Sequence, residues 1–425
     1  MNIDVHKFGG ASLKDSLALK NVSNIIQQQS RPAILVVSAM GKTTNALEKI
    51  VKSAFFKQDN PQTYLSQVTQ YHSDIIQNAF ENYSLAQEVE KNIQKYWKYI
   101  EQLISQPITM PYGQFYDQIV SVGELVSSII VSEYLNTAGI YNIWIDVRKI
   151  IKTDSQWRAA NVLMNESEKQ FNDLLIPIIG ENTLIITQGF IGSTANEYTT
   201  TLGREGSDYT AALMAYFANA QQLTIWKDVE GVLNADPRYF KNTQKLDEIS
   251  YYDAIEMTYY GATVIHPKTI KPIQNKNIPL YVKSFLNPQN TGTIIHQPKE
   301  YKKITTYSFL PNQVLISLQS QDYSFFTESH IQQAFQIIND FNIKINLMQN
   351  TALNFSICIT YDEVTTPMFI KELQKYFKVL FNENVSILNI RNYLPEIISY
   401  FTQDKEILLE QRTRNHIQLV IRDKK

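Results

Sequence analysis

Cys358 is the only cysteine in 425 residues, which excludes a disulfide framework and a thiolate metal cluster and fits a reducing compartment. The six histidines (His6, His72, His266, His296, His330 and His416) are scattered without ligand spacing, so no resident metal is expected. No apolar run approaches the roughly 20 residues of a membrane-crossing helix. The first strand and its lysine loop begin so early that a signal peptide has no room. Net charge is nearly absent as well: 39 basic against 41 acidic residues give −2, no electrostatic reason to bind nucleic acid or an anionic membrane. What is plentiful is core material, 44% apolar and 12% aromatic, which argues against disorder and for sizeable cores. The expectation is a soluble, cytoplasmic chain of two or three domains.

Glycine divides the chain. The last is Gly292, and a change in element pattern follows Thr293-Ile294-Ile295, so a boundary is placed near 298, with regions 1–298 and 299–425. In the first region, residues 2–6, 33–39, 140–145, 183–188, 222–226 and 278–284 read as short strands separated by helical patterns. This predicts an α/β fold, a mostly parallel sheet sandwiched by helices. Residues 62–105, interrupted at Asn82-Tyr83-Ser84, read as a helical hairpin and are taken as a surface excursion. The second region reads as strand 314–318, helix 328–341, strands 344–348 and 355–359 and helix 366–377. Then come strand 386–390, helix 394–401 and strands 406–411 and 417–421, an α+β pattern in which a βαββ order occurs twice.

Two loops carry the chemistry. Ile3-Asp4-Val5 leads into Lys7-Phe8-Gly9-Gly10-Ala11-Ser12 and a polar helix. The apolar run Leu184–Thr187 precedes Thr201-Leu202-Gly203-Arg204-Glu205-Gly206-Ser207-Asp208, which opens a helix. Glycines and hydroxyls between a strand and a helix N-terminus suit anion binding, because backbone N–H groups converge there and the helix dipole favours negative charge. One lysine in the first loop, with an arginine and an aspartate in the second, point to a phosphate-handling enzyme.

At these residues the chain resembles the aspartate kinases of the amino-acid kinase family. The likeness continues, in order, through Val36–Gly41 with Thr44-Asn45, Ser121–Glu124, Trp144–Lys149, Gly189–Gly192, Trp226–Val232, Asp236-Pro237-Arg238 and Gly261–Pro267. It covers residues 1 to about 295, and the ordered set carries the case where a lone Gly-Gly would not. The second region resembles a pair of ACT modules by element order. The resemblance implies ATP-dependent phosphorylation of the L-aspartate side chain to 4-phospho-L-aspartate, on the route to lysine, threonine and methionine. It also implies Mg²⁺ carried by the nucleotide, an amino-acid effector, and a homo-oligomer, a dimer through the tail. The length leaves no room for a second enzyme behind the tail.

Phosphorylating a carboxylate needs no general base, since the nucleophile is already anionic at neutral pH. The protein must hold two anions together and neutralise the moving phosphoryl group. Lys7 is the expected phosphate-facing cation, Gly9 and Gly10 allow close backbone approach, and Ser12 adds a hydroxyl. Asp208 is expected to orient Lys7. For an α-amino dicarboxylate, the planar fork of Arg204 suits the α-carboxylate and Glu124 suits the ammonium. The resemblance adds Thr44 and Phe190 to the substrate site. It lays the nucleotide along Lys227, Asp228, Val229, Gly231, Leu233, Asp236 and Arg238, with Thr263 nearby.

Several positions depart from the family pattern. Ala11 replaces a threonine and Glu205 a small residue, Lys227 stands where threonine is commoner, and Thr263 stands where a nucleotide-contacting lysine is expected. Lys227 could compensate for Thr263, and Glu205 could face outward or pair with a cation. The tail lacks glycine in Leu318–Thr327, and Asn346 sits near where lysine-sensitive relatives carry an acidic residue. Glutamate, acetylglutamate or uridylate kinase activity on the same fold, or a non-catalytic amino-acid sensor, are the alternative readings.

Overall fold

The computed structural model describes residues 2–28, 32–259, 265–298, 304–322, 324–393 and 395–424. The chain divides into two units: 1–232, 245–255 and 264–299 form the first, and 233–244, 256–263 and 300–425 the second.

In the first unit, strands β1 (Asp4–Phe8), β2 (Ala33–Val37), β3 (Ile143–Ile145), β4 (Leu184–Gln188), β5 (Ile191–Ser193), β6 (Thr199–Thr201), β7 (Gln222–Lys227), β8 (Glu248–Ser250), β9 (Leu280–Ser284) and β10 (Thr293–His296) are connected by helices. These are α1 (Ser16–Gln27), α2 (Thr43–Phe56), α3 (Pro61–Ala79), α4 (Tyr83–Ser105), α5 (Tyr112–Val120), α6 (Val122–Thr137), α7 (Met164–Leu174), α8 (Gly206–Ala218), α9 (Tyr251–Tyr259) and α10 (Pro267–Asn275). The eight-stranded sheet runs β3-β4-β2-β1-β7-β9-β10-β8. All pairings among β3, β4, β2, β1, β7 and β9 are parallel, and β10 against β9 is antiparallel. Every residue of β1, β2 and β4 is buried, as expected of strands covered on both faces. The fold class read from the sequence therefore holds. The short strands β5, β6, β8 and β10 were not foreseen. The first two form a hairpin between β4 and α8.

The hairpin α3–α4 is not a surface excursion. Asn60 and Asn82 cap its two helices, and Leu65, Val68, Ile75, Ile76, Ile93, Trp97 and Ile100 belong to the main hydrophobic core with β1 and β2. Fully burying such side chains contributes about 2 kcal/mol each. Composition alone hid this, because an amphipathic pattern does not say what its apolar stripe packs against. Tyr71 donates its hydroxyl to the Lys14 carbonyl at 2.6 Å. Helices α5 and α6 run on as residues 112–137, long and apolar enough to cross a membrane by composition, unlike the sequence expectation. Its most apolar part is mostly buried inside the protein, which is how a core helix meets the same test.

The second unit is a six-stranded antiparallel sheet, β12-β13-β11-β14-β16-β15. It comprises β11 (Thr306–Gln319), α11 (Glu328–Asp340), β12 (Ile345–Asn350), β13 (Phe355–Thr360), α12 (Thr365–Leu373), β14 (Lys378–Arg391), α13 (Pro395–Thr402), β15 (Lys405–Arg412) and β16 (His416–Asp423). The two βαββ repeats share long strands. Residues Gln313–Gln319 of β11 pair with the first half of β14, and Thr306–Leu310 pair with its second half, across a register shift. Val314, Ile316, Ile357 and Phe369 fill one core, while Leu388, Ile390, Ile417 and Leu419 fill another. Ala235 and Phe240 complete the latter, and the Phe240 ring lies 5.6 Å from that of Tyr307.

Candidate functional site

Strand β1 lies between β2 and β7, with Lys7 level with Val36 and Ile225, so Lys7 leaves the carboxyl end of a central strand. Ligands of open α/β sheets bind there. Gly10 follows at a place where a Cβ would sit 2.6 Å from the Gly41 carbonyl and 2.8 Å from that of Ala39, so only glycine lets the two loops close on each other. Gly206 opens α8, and Asp208 lies in its first turn.

Lys7, Gly10, Thr44, Glu124, Phe190, Arg204, Asp208 and Lys227 line one cavity of about 540 Å³. The Lys7 Nζ lies 2.6 Å from Asp208 Oδ1, with both side chains almost fully buried. Lys227 Nζ approaches the other oxygen of Asp208 at 3.3 Å and Glu205 Oε2 at 3.8 Å. Burial raises the Asp208 carboxyl, but Lys7 and Lys227 outweigh it and hold the group down at about 2. Glu205 is raised, first by burial and then by the neighbouring Asp208 charge, against the opposing pull of Lys227. The Glu205 side chain therefore faces a cation rather than solvent.

Glu124 is the opposite case. It is 2% exposed on α6, and burial pushes its carboxyl up to about 8, the Ala39 N–H and Lys7 only partly offsetting that. Its Oε2 makes no hydrogen bond although it is buried at the cavity wall. A buried, unsatisfied carboxylate is costly, so such an atom marks a place for a cationic ligand group. Arg204 is exposed at the rim, and Phe190 holds a left-handed backbone with φ 72, its N–H donating to Thr210 Oγ1 at 3.0 Å.

Gly9 and Ser12 support the first loop from behind: the Ser12 N–H donates to the Gly9 carbonyl at 3.0 Å, and neither residue lines the cavity. Asp228, Val229 and Gly231 follow β7, Val229 is exposed, and Gly231 has φ 151. Leu233, Asp236 and Arg238 belong to the second unit. There Asp236 starts a turn and pairs with the exposed Arg238 guanidinium at 2.5 Å. Thr263 lies outside the described residues.

Arg158, Tyr116 and Glu48 also line the cavity and were missed in the sequence. The buried Asp117, raised to about 6 by burial, accepts the N–H groups of Arg158 and Thr201 and the Thr201 hydroxyl. The Arg158 guanidinium lies 4.9 Å above the Tyr116 ring, whose hydroxyl donates to Glu48 at 2.6 Å. No local pattern announces this cluster, since its members come from α2, α5 and an irregular loop. Among the described residues no group of three or more His, Cys, Asp or Glu side chains could hold a metal ion.

The model of the amino acid kinase family matches residues 2–284. The lysine-sensitive aspartokinase 3 of Escherichia coli K12 is 28% identical over 394 residues, 91% of this chain and 86% of that protein. The bifunctional aspartokinase/homoserine dehydrogenase 2 of Arabidopsis thaliana is 31% identical over 370 residues, and the match spans 84% of this chain but only 40% of that longer protein. The crystal structure of E. coli aspartokinase III with aspartate and ADP superposes with a TM-score of 0.81 at 25% identity, over 99% of this chain and 96% of that one. The chain belongs to the amino acid kinase family.

Proposed function

We propose that the protein is an aspartate kinase, transferring the γ-phosphoryl group of ATP to the side-chain carboxylate of L-aspartate. The observation that carries this is a cavity joining the Lys7–Asp208 pair to the unpartnered Glu124 Oε2, a phosphate cation beside an ammonium acceptor. Glu124 takes the substrate ammonium, Arg204 the α-carboxylate, and Thr44 and Phe190 border the substrate. The side-chain carboxylate oxygen bonds to the γ-phosphorus as the β–γ bridging bond breaks, and the charge leaves on ADP. Lys7 faces the phosphoryl oxygens throughout. Asp208, fully ionised, fixes its ammonium in one place, so the donor is preorganised rather than recruited. Gly206, Ser207 and Asp208, at the N-terminus of α8, line the same cavity.

The donor set around the cavity fits magnesium carried by the nucleotide rather than a protein cage, because both oxygens of Asp208 are taken by lysines. Bound with the phosphates, that ion supplies charge neutralisation. Asp228, Val229 and Gly231 remain assigned to the nucleotide, with Gly9, Gly10 and Ser12 shaping the phosphate loop. The second unit is assigned to pairing of two copies through its sheet, with an amino-acid effector other than lysine. Asn346 supports that choice: its amide is neutral and already donates to Gln313 and Thr360 at 2.7 and 2.9 Å. A cytoplasmic setting supplies the ATP. Coupled detection of ADP with aspartate and Mg·ATP tests the reading. ADP release that ignores aspartate, or responds equally to glutamate, would overturn it.

A further inference from the structure

Glu205 flanks the N-terminus of α8 in a left-handed backbone conformation, φ 55 and ψ 27, which disfavours any residue with a Cβ. Its carboxyl lines the cavity beside Asp208 and is only 23% exposed. By itself that acid would repel an incoming polyphosphate. Lys227 answers it from the adjacent strand, the last residue of β7, which pairs with β1. Its ammonium lies 3.3 Å from Asp208 and 3.8 Å from Glu205, while Lys7 takes the other oxygen of Asp208 at 2.6 Å. Two lysines from neighbouring strands thus bracket two carboxyl groups from one helical turn.

A lysine ammonium is a point charge on a flexible stem, so its position depends on the acceptors around it. Lys227 has two such acceptors, Asp208 and Glu205. In a site this enclosed, charge pairs are screened less than on an open surface, so neither member is neutral in effect when the other is removed. Taking away Lys227 alone would leave Glu205 and Asp208 as adjacent acids facing the phosphates. Taking away both members leaves the Lys7–Asp208 pair and the net charge as they are.

Resting on the kinase reading above, we propose that Glu205 and Lys227 act as one unit in nucleotide binding. Lys227 neutralises the Glu205 acid before the nucleotide arrives, so that neither charge faces the phosphates uncompensated. Lys227 is thereby explained by Glu205, without recourse to position 263.

The test is a double-mutant cycle on ATP affinity, read by direct titration of the full-length protein in the absence of aspartate. K227T is expected to weaken ATP binding about tenfold, while K227T/E205Q and K227T/E205G both return to within about threefold of wild type. Aspartate affinity stays unchanged in all three. Recovery in a protein that still lacks Lys227 also shows that the single variant had not simply misfolded. Double variants as weak as K227T would overturn the proposal. So would recovery with E205G but not E205Q, since that would trace the effect to the left-handed backbone rather than to charge. A wild type that binds ATP without phosphorylating aspartate would sink the aspartate-kinase reading and leave the cycle readable, and one that binds no nucleotide would sink both.

Discussion

Aspartate binding should release a proton, and Glu124 should be its source. In the free protein burial raises this carboxyl from 4.5 to about 8, its Oε2 having no partner. At pH 7 a group with that value is protonated in roughly nine molecules of ten. A substrate ammonium seated against Oε2 reverses the preference, so binding should expel about 0.9 proton per aspartate at pH 7. Calorimetric titration in several buffers of different ionisation enthalpy measures this as a slope. Because only the ionised form pairs with the ammonium, aspartate affinity should also rise roughly eightfold between pH 7 and 8.5. Glu124→Gln should abolish both the proton release and the pH dependence, and should weaken aspartate but not succinate, which lacks the ammonium. The stability effect has the opposite sense. A carboxyl raised on folding contributes fully below its unfolded value near 4.5. That contribution falls by up to about 1.4 kcal/mol for each pH unit climbed between the unfolded and folded values, and is lost as pH rises through 8. The ligand-free wild type should therefore lose thermal stability relative to Glu124→Gln across that window. A buffer-independent binding enthalpy in the wild type would refute the ammonium assignment, and so would equal losses for aspartate and succinate.

Lys7→Ala should lower kcat at least about a hundredfold with the fold retained, because a preorganised donor facing developing charge is removed; circular dichroism with turnover assays checks this, and a near-normal kcat would remove Lys7 from the catalytic group. Arg204→Ala should raise KM for aspartate about tenfold or more while KM for ATP moves little, as expected when a guanidinium–carboxylate contact is lost. Gly10→Ala should destabilise the first unit by about 1–3 kcal/mol, since its Cβ would meet two backbone carbonyls that cannot rotate away, and denaturant unfolding measures that directly. Lysine at millimolar concentration should leave the initial rate unchanged, the Asn346 amide being committed to Gln313 and Thr360; strong cooperative inhibition would reverse the effector assignment.

The sequence by itself determined six of the strands and the mostly parallel, helix-covered character of their sheet. Strands as apolar as Ala33–Val37 and Leu184–Gln188 have only a two-sided burial open to them, and glycines between a strand and a helix announce where an anion can approach. Lys7, Glu124, Arg204 and Asp208 were legible for the same reason: each sits beside a local signal, a glycine or a helix start. Asn82, capping α4, marked the break in the helical hairpin, but what that hairpin packs against was not written in it. Tertiary structure alone decided the pairings made across sequence distance. Lys227 meets Glu205 because β7 lies beside β1, over whose end α8 begins. Arg158 reaches the cavity because Asp117, 41 residues earlier, holds its backbone. Residues 233–244 look continuous with the strand before them, yet Phe240 packs with Tyr307 and Phe401 in the second unit. Periodicity reports which face of an element is apolar. It does not report which distant surface that face will meet, and that is settled only when the whole chain competes for burial at once.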